Sequence, residues 1–338
     1  MRDAILYTRG EHGDVICHLC RHGCTIKDGS RGLCGVRENQ DGRLVSLVYG
    51  KLIAAHVDPI EKKPLFHVLS GSLSYSIATV GCNFSCRFCQ NADIAQMPKN
   101  GKRQIEGRTA SPEQVVGAAL ESQCRSISFT YTEPTVFFEF ALDTAKLAHE
   151  KNLKTVFVSN GYMSAAAVDT VAPFLDAANI DLKAFSDDFY RKYCGARLEQ
   201  VKESIVYLKK KGVFLEITTL VIPGLNDGKD ELKALAGFIR DELGPETPWH
   251  ISRFHPTYRL TDRPVTPLGT LAMARETGLA EGLYYVYTGN VPGDTGENTF
   301  CYSCGKKLVE RQGYMILEDH RINRSCPDCG TFIHGVYV

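Results

Sequence analysis

The stretch GCNFSCRFCQN, residues 81–91, contains three cysteines, Cys82, Cys86 and Cys89, with three and then two residues between them. The strand-like run SYSIATV at 74–80 comes directly before it, so we expect the cysteines at the carboxyl end of a strand, where α/β sheets and barrels carry their active sites. A closed zinc site uses four protein ligands. Three thiolates on a four-iron, four-sulfur cluster instead leave one iron free to bind a small molecule. Position and spacing favour the cluster, and a zinc site completed by a distant histidine remains the alternative.

Strand-like and helix-like segments alternate across the centre of the chain. The strand-like runs, rich in β-branched and aromatic residues, lie at 74–80, 126–131, 154–159, 178–184, 213–221, 249–254 and 283–288. Helix start signals stand at Ser111-Pro112-Glu113 and at Thr266-Pro267. Repeated strand–helix units predict a parallel sheet with right-handed crossovers, and six or seven such units are fewer than the eight of a TIM barrel. We therefore predict an α/β fold built on a partial (β/α)6-type TIM barrel, with an open doubly wound sheet as the competing architecture.

Composition excludes several classes of protein. The 338 residues are 43% hydrophobic and 23% charged, which is the profile of an ordinary globular protein with one large domain and small appendages. Lys plus Arg and Asp plus Glu both number 39, so the formal net charge of zero gives no basis for bulk nucleic-acid or membrane binding. No apolar run approaches the ~18 residues of a membrane span, and residues 1–10 lack the apolar core of a signal peptide. We expect a cytoplasmic protein that binds neither membranes nor nucleic acid.

Eleven of the thirteen cysteines fall into three close groups, at 17/20/24/34, 82/86/89 and 301/304/326/329. Such spacing is what metal and cluster ligands need, whereas Cys124 and Cys194 stand alone and are expected to be core residues. The two outer groups lie in segments with too few apolar residues for independent cores. We therefore divide the chain into a Cys-rich N-terminal module at 1–70, a central domain at 71–290 and a C-terminal module at 291–338.

The two outer cysteine groups differ in how clearly they indicate a metal. FCYSCGKKL (300–308) and SCPDCGTFI (325–333) each contain CxxC followed by glycine, as in a zinc-ribbon knuckle. They predict a structural zinc bound by Cys301, Cys304, Cys326 and Cys329. The N-terminal group has the spacing CxxCxxxCx9C and consists of Cys17, Cys20, Cys24 and Cys34. Four ligands favour a closed site there, so zinc is the first expectation and an auxiliary iron–sulfur cluster is the second.

The central motif resembles that of a known superfamily. GCNFSCRFCQN follows the pattern CxxxCxΦC, with the aromatic Phe88 before the last cysteine, and so resembles the cluster motif of the radical S-adenosylmethionine (radical SAM) superfamily, in particular its pyruvate formate-lyase activating-enzyme-like branch. Further stretches are similar to the radical SAM enzymes of the AmmeMemoRadiSam system, namely HLCRHGC, RGLCGVREN, VYGKLIA, DPIEKKPLFHV and FCYSCGKKLVERQGY. The likeness runs nearly from end to end of the chain.

The resemblance implies two cofactors and a reaction. Cys82, Cys86 and Cys89 would hold a 4Fe-4S cluster, and the amino and carboxylate groups of S-adenosylmethionine (SAM) would chelate the iron that lacks a protein ligand. Reduction of the cluster would cleave SAM to methionine and a 5′-deoxyadenosyl radical, which abstracts hydrogen from a substrate. The resemblance further implies an electron donor such as flavodoxin or ferredoxin, a small-molecule or peptide substrate, and Memo-like and AMMECR-type protein partners.

The resemblance also implies SAM contacts at the ends of the predicted strands. Phe88 would lie over the adenine, Glu133 would accept a hydrogen bond from the SAM ammonium, and Tyr131 and Thr132 take the positions of two glycines in the family. The remaining implied contacts are Ser159 and Asn160 at the ribose, Asp181 and Lys183 near the SAM carboxylate, and Thr218, Val221 and His255 along the methionine and adenine. Structural roles are the alternatives, such as a helix start at Glu133, a solvated ion pair or a core histidine.

Two other functions remain open. A glycyl-radical activase that acts on a protein partner would use the same cluster chemistry, whereas a zinc-ribbon nucleic-acid-binding protein would explain the outer cysteines but not the neutral charge. The segment DPIEKKPLFHV (58–68) runs towards the first strand and is either a linker or a substrate clamp. If it is a clamp, Lys62, Lys63 and His67 indicate an anionic substrate.

Overall fold

A computed structural model describes residues 1–291 and 293–337. Its centre is a sheet of eight strands, which are β1 (Ala54–Pro59), β2 (Leu73–Ala78), β3 (Ser126–Phe129), β4 (Lys154–Ser159), β5 (Ala177–Asp181), β6 (Phe214–Val221), β7 (Trp249–Arg253) and β8 (Val286–Gly289). Six helices connect β2 to β8 in turn, namely α1 (Pro112–Glu121), α2 (Phe138–Glu150), α3 (Ala165–Val171), α4 (Leu198–Lys210), α5 (Lys229–Phe238) and α6 (Leu268–Ala280). The predicted strand at 154–159 matches β4 at both ends. The ends of the other predicted strands differ from the observed ends by at most three residues.

The strands lie in the sheet in the order in which they occur in the chain, from β1 to β8. Strands β2 to β8 are parallel to one another, and β1 pairs antiparallel with β2. A doubly wound sheet reverses its strand order at a switch point, and the described strands contain no such reversal. With right-handed crossovers, an order that never reverses places all six helices on one face of the sheet, as in a TIM barrel. The partial-barrel prediction is therefore confirmed, and the doubly wound alternative is wrong.

Helix α1 begins as the sequence predicted. The Ser111 hydroxyl accepts a hydrogen bond from the backbone N–H of Gln114 at 3.3 Å, and the Gln114 side chain accepts one from the backbone N–H of Ser111 at 2.9 Å. This reciprocal pair is a capping box, which satisfies two backbone donors that the first turn leaves free. Pro112 takes the first helical position, where its missing N–H has no cost.

Helix α6 also begins near its predicted start, but without a side-chain cap. Its first residue is Leu268, and Pro267 holds the N-cap position. The hydroxyl of Thr266 instead accepts a hydrogen bond from the backbone N–H of Phe254 at 2.9 Å and donates one to the carbonyl oxygen of Val221 at 2.7 Å. Thr266 therefore ties the end of β6 to the end of β7.

The residues before β1 form small antiparallel sheets that pack on the barrel. One contains Arg2–Asp3, Arg43–Ser46 and Arg37–Gln40, and another contains Tyr7–Arg9, Val15–Cys17 and Thr25–Ile26. Lys51–Leu52 pairs with Arg108–Thr109 from the loop before α1. Val15, Val36 and Leu44 belong to the same hydrophobic core as the barrel, so this segment packs directly against it.

The C-terminal residues form a second small unit. Its antiparallel sheet consists of Thr299–Phe300, Lys307–Gln312 and Met315–Asp319. A separate hydrophobic cluster joins this sheet to the segment after β1 and to β8, through Phe66, Tyr285, Tyr287, Leu308, Val309 and Ile333. The small unit is therefore anchored at the β8 side of the barrel.

Short helical turns complete the described chain. They are Glu11–Gly13, Ile60–Lys62, Ala92–Ala95, Met97–Lys99, Pro134–Phe137, Ala172–Phe174, Asp187–Phe189, Tyr190–Cys194, Ile239–Leu243 and Thr295–Glu297. None of the described helices has both the length and the apolar character that crossing a membrane requires.

Candidate active site

The carboxyl ends of the parallel strands surround a cleft of about 1200 Å³ that opens to solvent. A pocket for one drug-sized ligand usually has ~300–1,000 Å³, so the cleft has room for more than one molecule. Of the fourteen residues predicted for the central site, thirteen line it: Cys82, Cys86, Phe88, Cys89, Tyr131, Thr132, Glu133, Ser159, Asn160, Asp181, Lys183, Thr218 and His255. The loops that follow six successive strands therefore bring these residues to one place.

Lys99 and Gln96 support the cysteine loop from one side. The ammonium of Lys99 donates to the carbonyl oxygen of Phe84 at 2.6 Å, and the Gln96 amide donates to the same oxygen at 3.1 Å. Burial lowers the pKa of Lys99, while the nearby sulfurs, that of Cys82 first, oppose the shift. Lys99 is thus a cation held beside the cysteine loop, and its position in the chain did not indicate this contact.

Cys194 contacts the same loop from the other side. Its carbonyl oxygen accepts a hydrogen bond from the backbone N–H of Ser85 at 2.9 Å. A hydrogen bond between the Cys194 and Cys86 thiols, together with burial, raises the pKa of Cys86 well above its ordinary value. Burial likewise raises the pKa of Cys82, and it raises that of Cys89 to about 11. Binding of a metal to such buried sulfurs would release their protons and hold them as thiolates.

The three central cysteines suit an open cluster better than a single ion. A zinc ion would draw its ligands into one compact group, and within residues 1–291 and 293–337 the compact group lies elsewhere, at the C-terminal cysteines. Each corner of an iron–sulfur cube binds its own thiolate, so the ligands of a cluster stay apart. No fourth cysteine of the described chain lines the cleft. The chain thus offers three thiolates for the four corners of a cube.

Glu133 is fully buried at the end of β3, and its carboxylate accepts four hydrogen bonds. Oε1 accepts from the backbone N–H of Thr135 at 3.0 Å, from the Thr135 hydroxyl at 2.6 Å and from the Ser159 hydroxyl at 2.8 Å. Oε2 accepts from the backbone N–H of Asn160 at 2.9 Å. Glu133 also caps the turn Pro134–Phe137, so the helix-start role is present. Burial raises its pKa against these hydrogen bonds, and Oε2 keeps one acceptor position free.

Tyr131 adopts the backbone conformation that a glycine would adopt. Its φ of 61° lies in the left-handed region, where a non-glycine residue costs about 1–3 kcal/mol and where functional sites often store strain. Its hydroxyl donates a hydrogen bond to Asp58 on β1, and the ammonium of Lys63 lies 4.7 Å from the centre of its ring. The neighbouring Thr132 hydroxyl donates to the carbonyl oxygen of Thr79 at 2.8 Å. The turn therefore keeps a glycine-like backbone although neither residue is glycine.

Asn160 joins the end of β4 to the cysteine loop. Its amide Nδ2 donates to Oδ1 of Asn83 at 2.7 Å and lies 3.8 Å from the sulfur of Cys82. The Ser159 hydroxyl is hydrogen bonded to Glu133. Both residues predicted at the ribose thus border the cleft, where their side chains also hold neighbouring elements together.

Asp181 and Lys183 form an ion pair on the wall of the cleft. The Lys183 ammonium lies 2.8 Å from Oδ2 of Asp181, and the lysine side chain is only 14% exposed, so it is mostly buried rather than solvated. Burial by itself would lower the pKa of Lys183, but Asp181 and the sulfurs of Cys86 and Cys194 raise it well above its ordinary value. The ammonium also lies 5.9 Å from the ring centre of Phe88. The ammonium of Lys183 is therefore held in a fixed position beside the cysteine loop.

The alternation of side chains along β6 decides which of its residues reach the cleft. Thr218 lines the cleft, and its hydroxyl donates to Oδ1 of Asn179 at 2.8 Å. Residues two apart share one face of a strand, so Leu220 also lines the cleft, whereas Val221 is fully buried and does not. Leu220 thus takes the place predicted for Val221. His255, beyond β7, is exposed at the cleft and is not a core histidine.

Both lysines of the segment after β1 are paired with one aspartate. Lys62 and Lys63 line the cleft, but their ammonium groups lie 2.8 and 2.6 Å from the two carboxylate oxygens of Asp58. His67 is 1% exposed, is held by two hydrogen bonds of 2.7 Å and does not line the cleft. This arrangement favours the linker interpretation over an anionic-substrate clamp.

The C-terminal cysteines have the geometry of a single-ion site. The sulfurs of Cys301, Cys304, Cys326 and Cys329 all lie within 4.8 Å of one another. Two of the separations, Cys301 to Cys329 and Cys304 to Cys326, are 3.6 Å. A tetrahedral zinc with Zn–S bonds of about 2.3 Å places its sulfurs about 3.8 Å apart. The four sulfurs therefore fit a zinc-sized ion.

The N-terminal cysteines line a small cavity. Cys17 and Cys34 are buried, and Cys20 and Cys24 are partly buried. Unlike the C-terminal group, these four do not form a compact ion-sized set in the described part of the chain. Asn83, from the central cysteine loop, lines the same cavity.

The chain is similar to several known proteins. The family model of the radical SAM superfamily matches residues 76–238. An uncharacterized protein of Methanocaldococcus jannaschii, MJ0808, is 47% identical over 335 residues, which cover 98% of this chain and 99% of that protein. A pyruvate formate-lyase-activating enzyme of Clostridium pasteurianum is 23% identical over 48% of this chain and 67% of its own length. A radical SAM methyltransferase structure from Sphaerobacter thermophilus covers 70% of each chain at 17% identity, with a TM-score of 0.49.

Proposed function

The chain belongs to the radical SAM superfamily, and on that premise we propose that Cys82, Cys86 and Cys89 hold an open 4Fe-4S cluster with SAM bound beside it in the cleft. The observation that carries the proposal is the meeting of the cysteine loop with strand-end polar residues on one cleft wall. Three thiolates for four irons leave one iron available to the coenzyme. The substrate then occupies the space that remains in the cleft.

The side chains on the cleft wall bind and orient SAM in this proposal. The free acceptor position on Oε2 of Glu133 receives the SAM ammonium, and the ammonium of Lys183 faces the SAM carboxylate, so each charge of the amino acid part meets an opposite one. Phe88 packs against the adenine. The ribose and the rest of the coenzyme contact Tyr131, Thr132, Ser159, Asn160, Asp181, Thr218, Leu220 and His255.

The chemistry itself comes from the cofactors. When bound, the reduced cluster and SAM supply methionine and a 5′-deoxyadenosyl radical, which takes a hydrogen atom from the substrate. The chain contributes fixed positions and a partly enclosed site. Burial of Glu133 and Lys183 lets their charges act with little screening by water.

A finer assignment rests on the motif resemblance. A radical SAM enzyme requires an electron donor and a substrate. We propose that the donor is a flavodoxin or ferredoxin and that the substrate is a small molecule or a peptide. The motifs HLCRHGC and VYGKLIA support placement in the AmmeMemoRadiSam system, with Memo-like and AMMECR-type proteins as partners.

The outer segments have structural roles in this proposal. A zinc ion bound by the four C-terminal cysteines stabilises the small unit at the β8 side of the barrel. We retain the division into an N-terminal module (1–70), a central domain (71–290) and a C-terminal module (291–338), with β1 as the part of the first module that joins the barrel sheet.

The proposal is tested by SAM cleavage. Reconstituted protein, reduced under anaerobic conditions, is expected to form 5′-deoxyadenosine from SAM. Cys82→Ala, Cys86→Ala and Cys89→Ala should each abolish the product, because each removes one of only three cluster ligands. Cys124→Ala is the matched control, since Cys124 is a buried cysteine outside the cleft. Retained cleavage in any of the three variants would overturn the assignment.

A glycyl-radical activase is the second candidate. One observation favours it, which is the likeness of this chain to a protein named as a pyruvate formate-lyase-activating enzyme. An activase should generate a protein radical on a glycyl-radical enzyme in its presence, and EPR spectroscopy would detect it. Cleavage of SAM without such a radical, and with deuterium transfer from a small molecule or peptide, would favour the first candidate. The zinc-ribbon nucleic-acid-binding alternative has no comparable support.

A further inference from the structure

The N-terminal cysteine cavity is a separate site from the cleft. We propose that Cys17, Cys20, Cys24 and Cys34 hold a second iron–sulfur cluster rather than a zinc ion. The inference goes beyond the proposed function, because it concerns other ligands and does not depend on SAM chemistry. The cysteine spacing made zinc the first expectation and an iron–sulfur cluster the second, and the proposal reverses that order.

The three cysteine groups of this chain can be compared with one another. The C-terminal sulfurs lie within 4.8 Å of one another, as one small ion requires. The central group is spread along the wall of the cleft, and the N-terminal group is spread around a small cavity. Neither forms a compact ion-sized set in the described part of the chain. In the spread of its sulfurs, the N-terminal group therefore matches the central group and differs from the C-terminal group.

Two buried polar side chains on the cavity wall have donor atoms without a hydrogen-bond acceptor. Arg37 is 1% exposed, and its Nε and Nη1 have no hydrogen-bond acceptor. Its Nη2 is already used by Glu139, at 2.8 Å, and by the carbonyl oxygen of Ile5, at 2.8 Å. Asn83 is 3% exposed, and its Nδ2 likewise has no acceptor. Buried donors without partners are rare and costly, so their presence here indicates an acceptor bound in the cavity.

An iron–sulfur cluster would satisfy these donors. Its sulfides and thiolate sulfurs accept hydrogen bonds, and such bonds are a usual feature of protein-bound clusters. A zinc ion offers only its four thiolates and would need these sulfurs drawn closer together than they lie in the described structure. Much of the remaining wall is apolar, with Leu19, Ile26 and Val136, which favours a group that excludes water.

The cavity directly adjoins the central cysteine loop. A methyl group placed on Gly81, the residue before Cys82, would lie 3.2 Å from the carbonyl oxygen of Cys34. The Nε2 atom of His22, which lines the cavity, lies 2.8 Å from the carbonyl oxygen of Asn83. Asn83 in turn accepts the hydrogen bond from Asn160 on the cleft wall. A cluster in the cavity would therefore be separated from the central site by one layer of residues.

The experiment counts metal in a full-length chain that lacks the central ligands. The variant Cys82→Ala/Cys86→Ala/Cys89→Ala is reconstituted anaerobically, and iron, acid-labile sulfide and zinc are measured. A retained cluster should leave about two or about four irons per chain, with equal sulfide, according to its type. Zinc should remain at one per chain, in the C-terminal site. Two zincs and no iron would overturn the proposal, whether or not the wild-type protein cleaves SAM.

A second variant covers the case in which the triple variant does not fold. Cys20→Ala/Cys24→Ala removes the two less buried ligands from an otherwise unchanged chain. Iron should fall by the content of one cluster, with zinc unchanged. Cys124→Ala, which alters a buried cysteine outside every group, should leave both metals at their wild-type content. A loss of zinc with no loss of iron in the double variant would also overturn the proposal.

Discussion

The ammonium of Lys63 lies 2.6 Å from Oδ2 of Asp58, and both side chains are almost fully buried, with 2% and 7% exposed. Lys62 binds the other carboxylate oxygen, and the Tyr131 hydroxyl donates a third hydrogen bond. Burial alone would raise the pKa of Asp58, but these three partners outweigh it, and the pKa lies well below its ordinary value. An internal ion pair thus fastens β1 and the segment after it to the turn that follows β3.

Asp58→Asn should destabilise the protein by about 3–5 kcal/mol, because it leaves the buried ammonium of Lys63 without a compensating charge. The double variant Asp58→Asn/Lys63→Met should recover part of this loss, since it removes the stranded charge as well. The free energy of unfolding from anaerobic denaturant titration measures both effects. A single variant within about 0.5 kcal/mol of the wild type, in the range of ordinary surface changes, would contradict the buried-pair interpretation.

Gly81→Ala should disrupt the start of the cysteine loop. Gly81 has a φ of 102°, and a Cβ there would lie 2.6 Å from Cγ1 of Val36, closer than packed atoms allow. We expect a loss of about 1–3 kcal/mol in unfolding free energy from strain and overpacking, together with lower iron content. Gly101→Ala is the matched control, because nothing lies within 4 Å of its Cβ position. Equal stability and iron content in the two variants would argue against the close contact.

Much of the fold follows from local sequence patterns. The helix start at Ser111 and the strand at 154–159 depend on neighbouring residues only, and both were predicted at the right positions. The meeting of the strand-end residues was also predictable, since parallel strands end at one rim. Strand β1 was not predicted, because its antiparallel pairing with β2 closes through the irregular segment at 60–72 and leaves no alternating pattern.

The candidate site shows where sequence reasoning fails. Thr218 and Leu220 line the cleft and the predicted Val221 does not, as the two-residue alternation along β6 would indicate. The contact of Cys194 with Cys86 had no sequence signal, since 108 residues separate them and Cys194 lies in no motif. Lys63 carried a positive charge in the sequence, but only the fold shows that Asp58 neutralises it. Burial and side-chain pairing are tertiary properties.

Loss of the C-terminal metal should loosen one end of the molecule and leave the barrel intact. Cys301 and Cys326 are 2% exposed and belong to the small core that contains Leu308 and Ile333. Cys326→Ala should therefore release one zinc per chain and expose residues 299–337 to proteolysis, while the iron content stays at the wild-type value. Metal analysis measures the zinc and iron content, and limited proteolysis with mass spectrometry locates the cleaved sites. Cys124→Ala serves as the control, and zinc retained in Cys326→Ala would contradict the four-cysteine site.

The stability of the protein should fall as the pH drops below about 6.5, in part through His67. Burial lowers the pKa of His67 to about 4, and the carboxylate of Glu216 opposes this only partly. Its Nδ1 donates to the carbonyl oxygen of His334 and its Nε2 accepts from the Tyr287 hydroxyl, both at 2.7 Å, so the neutral ring is the one that fits. The folded state therefore stays unprotonated between pH 6.5 and 4, where the unfolded chain takes up a proton. Protons bound only by the unfolded state favour unfolding.

His67→Gln removes this titration and can keep one donor and one acceptor. Each pKa unit corresponds to about 1.4 kcal/mol, so the wild type should lose about 1 kcal/mol of unfolding free energy through this group between pH 6.5 and 5.5. The variant should be less stable at pH 7.5 but should show a smaller further loss on acidification. Anaerobic denaturant titrations at pH 7.5 and 5.5 measure the difference, with His18→Gln, at an exposed histidine, as the control substitution. If His67→Gln and wild type lost equal stability between these two pH values, the neutral buried state of His67 would be refuted.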